Sequence, residues 1–320
     1  MPVLIMDSKT RQPSEASFVN RARKRIWDNP YSVLAFASLC WSGNHIIGRA
    51  ITGHIPPLTI STIRWLVPVF IIWFVARSEI QSDWPAVRQH WGIVLWLGIT
   101  GGTLFSALQY VGLQHTTALN VSILNSLVPV LIIAAGALIF RDHIRFVQLL
   151  GISISLIGVI VIVTHGDLGV LTQLEFNFGD LIAVLAMAVF AIYVAYLRMR
   201  PPTHWLTFLF VLGIISAITT MPFAIFEIAR GEVVELTPLT ILAALYVSTF
   251  PSLLAFAAWN RGVELIGPNK SAPFLHLVPL YTALLAGIFL AEDLRLFHVA
   301  GLLLILTGVS LASGRTSIAK

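Results

Sequence analysis

Charge is what this chain has least of. Only 11% of its 320 residues are Asp, Glu, Lys or Arg, while 57% are apolar and the mean hydropathy is +0.86. An ordinary soluble domain carries about 25% charged residues and about 45–50% apolar ones. So few charges cannot solvate the surface of a 35.1 kDa body, so lipid must cover it. Cysteine is nearly absent too. The one residue, Cys40, lies inside an apolar stretch, which excludes an intrachain disulfide framework and reads as a small buried side chain.

Other absences narrow the function. No G-x-x-x-x-G-K-[ST] phosphate loop is present, so ATP is not expected to drive any activity. No His-Glu-x-x-His or paired Cys/His spacing implies a metal, and no serine sits in G-x-S-x-G; the expectation is no cofactor, no metal and no catalysis. An intramembrane enzyme of lipid metabolism would need clustered acids, histidines or a metal at one interface. Residues 1–30 are polar and basic after a short apolar start, with no cleavable apolar core, and read as a cytoplasmic tail. A pI near 9.7 would suggest nucleic acid in a soluble protein, but here the basic residues sit between apolar runs, and no nucleic-acid partner is expected.

What the chain does have is apolar runs of membrane-crossing length, about 20 residues each. Ten can be read: Tyr31–Ile51, Leu58–Ala76, Trp91–Leu113, Thr117–Phe140, Val147–Thr164, Gly179–Leu197, Trp205–Phe226, Leu239–Asn260, Lys270–Leu290 and Phe297–Ser313. With residues 1–30 in the cytoplasm, 16 of the 20 basic residues fall on the inner side, and no outer loop carries more than one. That asymmetry predicts ten spans with both termini cytoplasmic, residues 314–320 forming the second tail. The product is an all-α integral membrane protein.

The sequence also repeats. A shift of 150 residues places Leu127-Val128-Pro129 on Leu277-Val278-Pro279, Gly151 on Gly301 and Gly158-Val159 on Gly308-Val309, in one ungapped register. Residues 31–164 and 179–313 therefore read as two five-helix repeats joined by 165–178. Five is odd, so the second repeat must be inverted relative to the first. Inverted repeats are the architecture of secondary transporters, with the solute site near the midplane between the halves.

The chain resembles EamA-type members of the drug/metabolite transporter superfamily from Tyr31 to Ser313. The carriers are Trp41-Ser42-Gly43-Asn44, Ile63-Arg64-Trp65, Ala107-Leu108-Gln109-Tyr110, Thr117-Ala118-Leu119-Asn120, and Leu124 through Pro129, followed by Gly151 and Gly158-Val159. Within that family it is most similar to YddG-type exporters of aromatic and other amino acids. The resemblance implies an inner-membrane, multi-pass carrier that exports amino acids or related metabolites. Its oligomeric state stays open, a monomer included. Other cargoes on the same fold, such as nucleobases, sugars or drugs, remain alternatives.

Polar groups in hydrocarbon face either a helix partner or a water-filled cavity. In the first span Trp41, Asn44 and His45 share a face with Gly48, as a cavity wall or as an interhelical clamp. In the fourth span Asn125, with Ser126, precedes Pro129, which the repeat matches with Pro279, while His276 falls on Ser126. Both prolines are candidate helix kinks, or they shape packing alone. Gln109 and Tyr110 correspond to Trp259 and Asn260, as gate residues or as interfacial anchors. Tyr193 falls on Asn44 at a shift of 149. Amides (Asn44, Asn125) would bond the amino and carboxyl groups of a small zwitterion, and Trp41, Tyr193 and Trp259 would accommodate its side chain.

Arg64 is the one charged residue inside a span. Snorkelling or pairing with loop carbonyls is expected of it over binding a carboxylate, and the resemblance suggests a structural arginine. No Asp or Glu occupies a span centre. Proton coupling would then need His45 or His276, and uniport or loose coupling is expected instead.

Overall fold

The computed structural model describes residues 27–116, 121, 124–164, 166–167, 169–172, 177–289 and 296–313, apart from the side chains of 45, 46, 49, 50, 283 and 286–289. Thr117 to Asn120, Ser122, the His45 side chain, residues 1–26 and residues 314–320 lie outside this description. All regular structure among the described residues is helical.

The helices run α1 (Pro30–Ala50), α2 (Pro57–Val75), α3 (Arg77–Gln89), α4 (Trp91–Leu97), α5 (Phe105–His115), α6 (Val128–Phe140) and α7 (Phe146–Val163). The second series is α8 (Phe178–Tyr196), α9 (Trp205–Ala229), α10 (Pro238–Val247), α11 (Ala255–Ile266), α12 (Leu277–Phe289) and α13 (Leu296–Ser313). Seven helical stretches among the described residues are long and apolar enough to cross a membrane: Pro57–Val75, Trp91–His115, Phe146–Val163, Phe178–Met199, Trp205–Ala229, Pro238–Ile266 and Leu296–Ser313. Val128–Phe140 is a shorter apolar helix. The chain is thus a multi-pass membrane protein. Between α2 and α4 the connection is itself helical; α3 carries mostly polar residues and lies outside the apolar stretches.

Local chemistry sets the helix ends. Pro57 opens α2 and Pro238 opens α10, where a missing N–H costs nothing. Asn177 caps α8 by accepting from the Asp180 N–H at 3.1 Å. The α2 N-terminus is capped from another helix. Glu227 near the end of α9 accepts from the Leu58 and Thr59 N–H groups at 2.9 and 2.8 Å, placing a carboxylate on the positive end of the helix dipole. Gly267, at φ 82°, ends α11.

Two interruptions stand 150 residues apart. Gly98–Leu104 joins α4 to α5 and Ser248–Leu254 joins α10 to α11, each as a wide π-helical turn. Pro251 has no N–H to give, which favours a widened ladder in the second; Gly101 and Gly102 occupy the first. Both segments offer a carbonyl to a tryptophan: Trp65 Nε1 donates to Gly102 O at 3.1 Å, and Trp41 Nε1 to Pro251 O at 3.0 Å.

Helices from the two series pack on each other: α2 on α9, α1 on α11, α5 on α8 and α7 on α13. The α7–α13 contact uses paired glycines. A Cβ on Gly151 would lie 2.6 Å from the Gly308 carbonyl oxygen, and one on Gly158 would lie 2.8 Å from that of Gly301. The earlier residue of one helix meets the later residue of the other, so these helices run antiparallel and touch backbone to backbone.

Candidate functional site

A central cavity, about 60 Å³ open to the centres of water-sized molecules, lies between α1, α2, α5, α8 and the segments that lead into α6 and α12. Trp41, Asn44, Arg64, Phe105, Gln109, Asn125, Ser126 and Val128 line it from residues 30–163. From residues 178–313 come Phe190, Leu275, Val278 and Pro279.

Asn125 and Ser126 reach the cavity because the helix breaks there. Residues 126–127 form a turn before α6 restarts at Val128, which leaves Pro129 in the first turn of α6 with no bond to break. The segment before α12 behaves alike, with Ala272–His276 wound as a tighter 3-10 helix ahead of Pro279. The Ser126 carbonyl freed by the break accepts from His276 Nε2 at 2.9 Å, and His276 Nδ1 meets Ser155 Oγ at 2.5 Å. His276 is fully buried with both ring nitrogens engaged, and it stands behind the cavity wall.

The aromatic wall is a cluster. Trp41 meets Phe190 edge-on at 5.9 Å between ring centres and Trp259 at 5.4 Å, while Phe105 meets Phe190 at 4.5 Å. Trp259 is fully buried behind Trp41 and does not face the cavity. Tyr110, Tyr193 and Asn260 are likewise buried outside it and form two matching hydrogen bonds. Tyr110 on α5 donates to Asn44 Oδ1 on α1 at 3.2 Å, and Tyr193 on α8 donates to Asn260 Oδ1 on α11 at 2.8 Å. The repeat register superposes these bonds with tyrosine and asparagine exchanged.

Arg64 departs from the sequence expectation. Its side chain turns inward instead of snorkelling and is 1% exposed. Nε donates to Ser252 Oγ at 2.7 Å and Nη1 to Tyr110 Oη at 3.4 Å, while the guanidinium lies 5.8 Å from the Trp65 ring centre and 5.5 Å from that of Tyr110. Hydroxyls and aromatic faces lie within reach, whereas the N-terminal end of α2 is roughly 10 Å away, at about 1.5 Å for each of some seven helical residues. Of the residues singled out in the sequence, Trp41, Asn44, Arg64, Gln109, Asn125, Ser126 and Pro279 therefore meet at one cavity. Phe105, Phe190, Val128, Leu275 and Val278 join them. The repeat held a signal for two of these, since Phe190 falls on Trp41 at the shift of 149 and Leu275 on Asn125 at 150.

A second hollow, of about 420 Å³, lies at one end, where Asp142, Arg145, Arg198, Asn269 and Lys270 gather. Arg198 grips Asp142 with both Nη atoms at 2.8 and 2.5 Å, and Asn269 Nδ2 adds a bond at 3.2 Å. The Arg198 hydrogen bonds hold the Asp142 carboxyl below the usual carboxylate range. No cluster of His, Cys, Asp and Glu among the described residues has the form of a metal site.

Comparison with known proteins places this architecture. An uncharacterised transporter, YyaM, of Bacillus subtilis (strain 168) is 29% identical over 299 residues, covering 91% of this chain and 96% of its own. A probable amino-acid metabolite efflux pump of Salmonella typhimurium (strain LT2) is 24% identical over 277 residues, covering 84% of this chain and 89% of its own. A solved crystal structure shares the fold with a TM-score of 0.65 at 20% identity, covering 88% of this chain and 95% of its own. The EamA-like transporter family model matches twice, over residues 30–164 and 177–314, and the chain belongs to that family.

Proposed function

We propose that this transporter exports amino acids, aromatic ones included, across the inner membrane in the manner of YddG-type carriers. Ten spans form two inverted five-helix halves, 31–164 and 179–313, with 165–178 between them and both tails in the cytoplasm. The halves rock about the central cavity to give alternating access. The observation that carries the reading is the cavity wall, where Asn44, Gln109 and Asn125 stand beside Trp41, Phe105 and Phe190. Amides that hydrogen-bond an ammonium and a carboxylate, next to a mixed aromatic surface, suit a zwitterion with an apolar side chain. The Salmonella efflux pump among the relatives favours the same cargo. Antiparallel α7–α13 packing and the two π-helical turns 150 residues apart support the inverted repeat.

Transport is uniport or loosely coupled. Among the described residues no Asp or Glu lines the cavity, and both ring nitrogens of His276 are engaged. Flux of labelled phenylalanine, tryptophan, threonine and methionine in proteoliposomes, with and without a pH gradient, tests this. Saturable flux indifferent to the gradient is expected. Gradient-driven flux would overturn the uniport and direct attention to His45. No amino-acid flux from folded protein would overturn the cargo, leaving nucleobases, sugars or drugs.

A further inference from the structure

Arg64 is a permanent cation, 1% exposed, in the middle of a helix that is long and apolar enough to cross a membrane. Burial of such a charge in a membrane helix is costly, so something must favour charge at this position. Its two hydrogen-bond partners, Ser252 and Tyr110, are neutral hydroxyls. A neutral donor of similar length would satisfy them as well. No Asp or Glu pairs with Arg64 among the described residues. The two hydroxyl bonds engage two of the five N–H donors of the guanidinium, and the group also lines the central cavity. Ser252 sits in the π-helical turn and itself bonds the Val247 carbonyl at 2.8 Å, so the residue holding Arg64 is fixed in turn.

We infer that Arg64 binds the carboxylate of the transported solute, and that the cavity selects solutes that carry one. This rests on the amino-acid reading above and narrows it. The hydroxyls aim the guanidinium, the Trp65 and Tyr110 rings lie against it, and the carboxylate supplies the anion that the fold withholds. In an empty carrier no carboxylate among the described residues neutralises the cation, and bound solute supplies one. Asn44 and Asn125, which line the same cavity, are left to meet the ammonium end of the zwitterion. Tyr110, which contacts both Arg64 and Asn44, is a positioning residue.

The test is equilibrium binding to the purified full-length chain in lipid nanodiscs, read by tryptophan fluorescence. The probes are threonine, methionine and phenylalanine, the amide of each, and 3-phenylpropionate, which keeps the carboxylate and lacks the ammonium. The wild type should bind each acid at least about tenfold more tightly than its amide. Arg64→Gln should remove that preference and Arg64→Lys should keep part of it, in protein whose thermal melt shows it folded. Equal binding of acids and amides by the wild type overturns the inference without any variant, as does an acid preference that survives Arg64→Gln. Failure of every carboxylate to bind folded wild type also overturns it. The two readings fail separately. Arg64-dependent binding of 3-phenylpropionate without binding of amino acids would keep the arginine's role and discard the amino-acid cargo. Equal binding of phenylalanine and its amide, with flux, would do the reverse.

Discussion

At the cavity wall the two halves of the chain share a helix order and divide the chemistry unequally. Residues 30–163 present Asn44, Arg64, Gln109, Asn125 and Ser126, together with Trp41, Phe105 and Val128, while residues 178–313 present Phe190, Leu275, Val278 and Pro279, all apolar. The repeat register makes the difference a matter of single positions. Asn125 stands where the second half has Leu275, Gln109 where it has Trp259, Asn44 where it has Tyr193, and Arg64 where it has Gly213 or Ile214. Away from the cavity, equivalent positions do equivalent work: the π-helical turns, the Tyr–Asn bonds and the glycine contacts each occur twice. A duplicated scaffold holds both copies to the packing that the membrane requires. At the cavity wall the two copies differ, the first presenting the polar face and the second the apolar one.

Making the polar wall of the first half apolar should have the largest effect. On the proposed function, Asn44→Leu or Gln109→Leu removes an amide of the cavity wall whose bond to an ionic end of the solute would be worth about 1.5–3 kcal/mol. Labelled-phenylalanine exchange in proteoliposomes should fall by a factor of about ten to a hundred. Next come the symmetric contacts. Gly158→Ala and Gly308→Ala each force a Cβ against a facing carbonyl, an overpacking that costs about 1–3 kcal/mol. Thermal melts should move by similar amounts for both; a large shift for one alone would break the symmetry of the α7–α13 pair.

The Tyr–Asn bonds separate scaffold from site. Tyr110→Phe and Tyr193→Phe should each lose roughly 0.6–1 kcal/mol of stability, the scale of polar contacts between membrane helices. Flux should fall for Tyr110→Phe, which also releases Arg64, and hold for Tyr193→Phe. A smaller effect is expected in the apolar half. Val278→Ala enlarges the wall by two methyl groups, and the relative affinities for methionine and phenylalanine should change by several-fold. The least effect concerns pH. The Asp142–Arg198 pair joins the two halves, and the carboxyl is held below its ordinary range. Its contribution is present above the ordinary carboxylate value and is lost as pH falls through the depressed one. Melting temperature should therefore be flat with respect to this pair from about pH 5 to pH 8, and Asp142→Asn should lower it only slightly, since the pair is open to water.

Much of this was legible in the sequence because membranes constrain sequence so strongly. Length and hydropathy marked the helices, and the ungapped 150-residue register pointed to Leu127-Val128-Pro129 and its counterpart as related segments. Asn44, Gln109, Asn125 and Trp41 could be picked out because polar and aromatic side chains in an apolar run are conspicuous. The apolar wall was not legible for the converse reason. Leu275 and Val278 look like any other residues of a membrane helix, and only their place beside the 3-10 segment brings them to the cavity. Side-chain direction was equally hidden. Whether Arg64 turned outward to headgroups or inward depended on Ser252, 188 residues away, and on a π-helical turn that hydropathy cannot reveal. Sequence makes Tyr193 and Asn260 candidates for the solute; in the structure they bond each other and are not among the residues that line the cavity.

The most direct measurement is phenylalanine exchange by Asn125→Leu and Leu275→Ala, made side by side in proteoliposomes with folded protein verified in each. The two substitutions sit at equivalent positions of the halves, and both side chains line the cavity. Loss of exchange with Asn125→Leu, together with exchange retained within several-fold by Leu275→Ala, is the predicted result. Normal exchange by Asn125→Leu, or equal loss in both, would contradict the claim that the first half carries the chemistry of solute recognition.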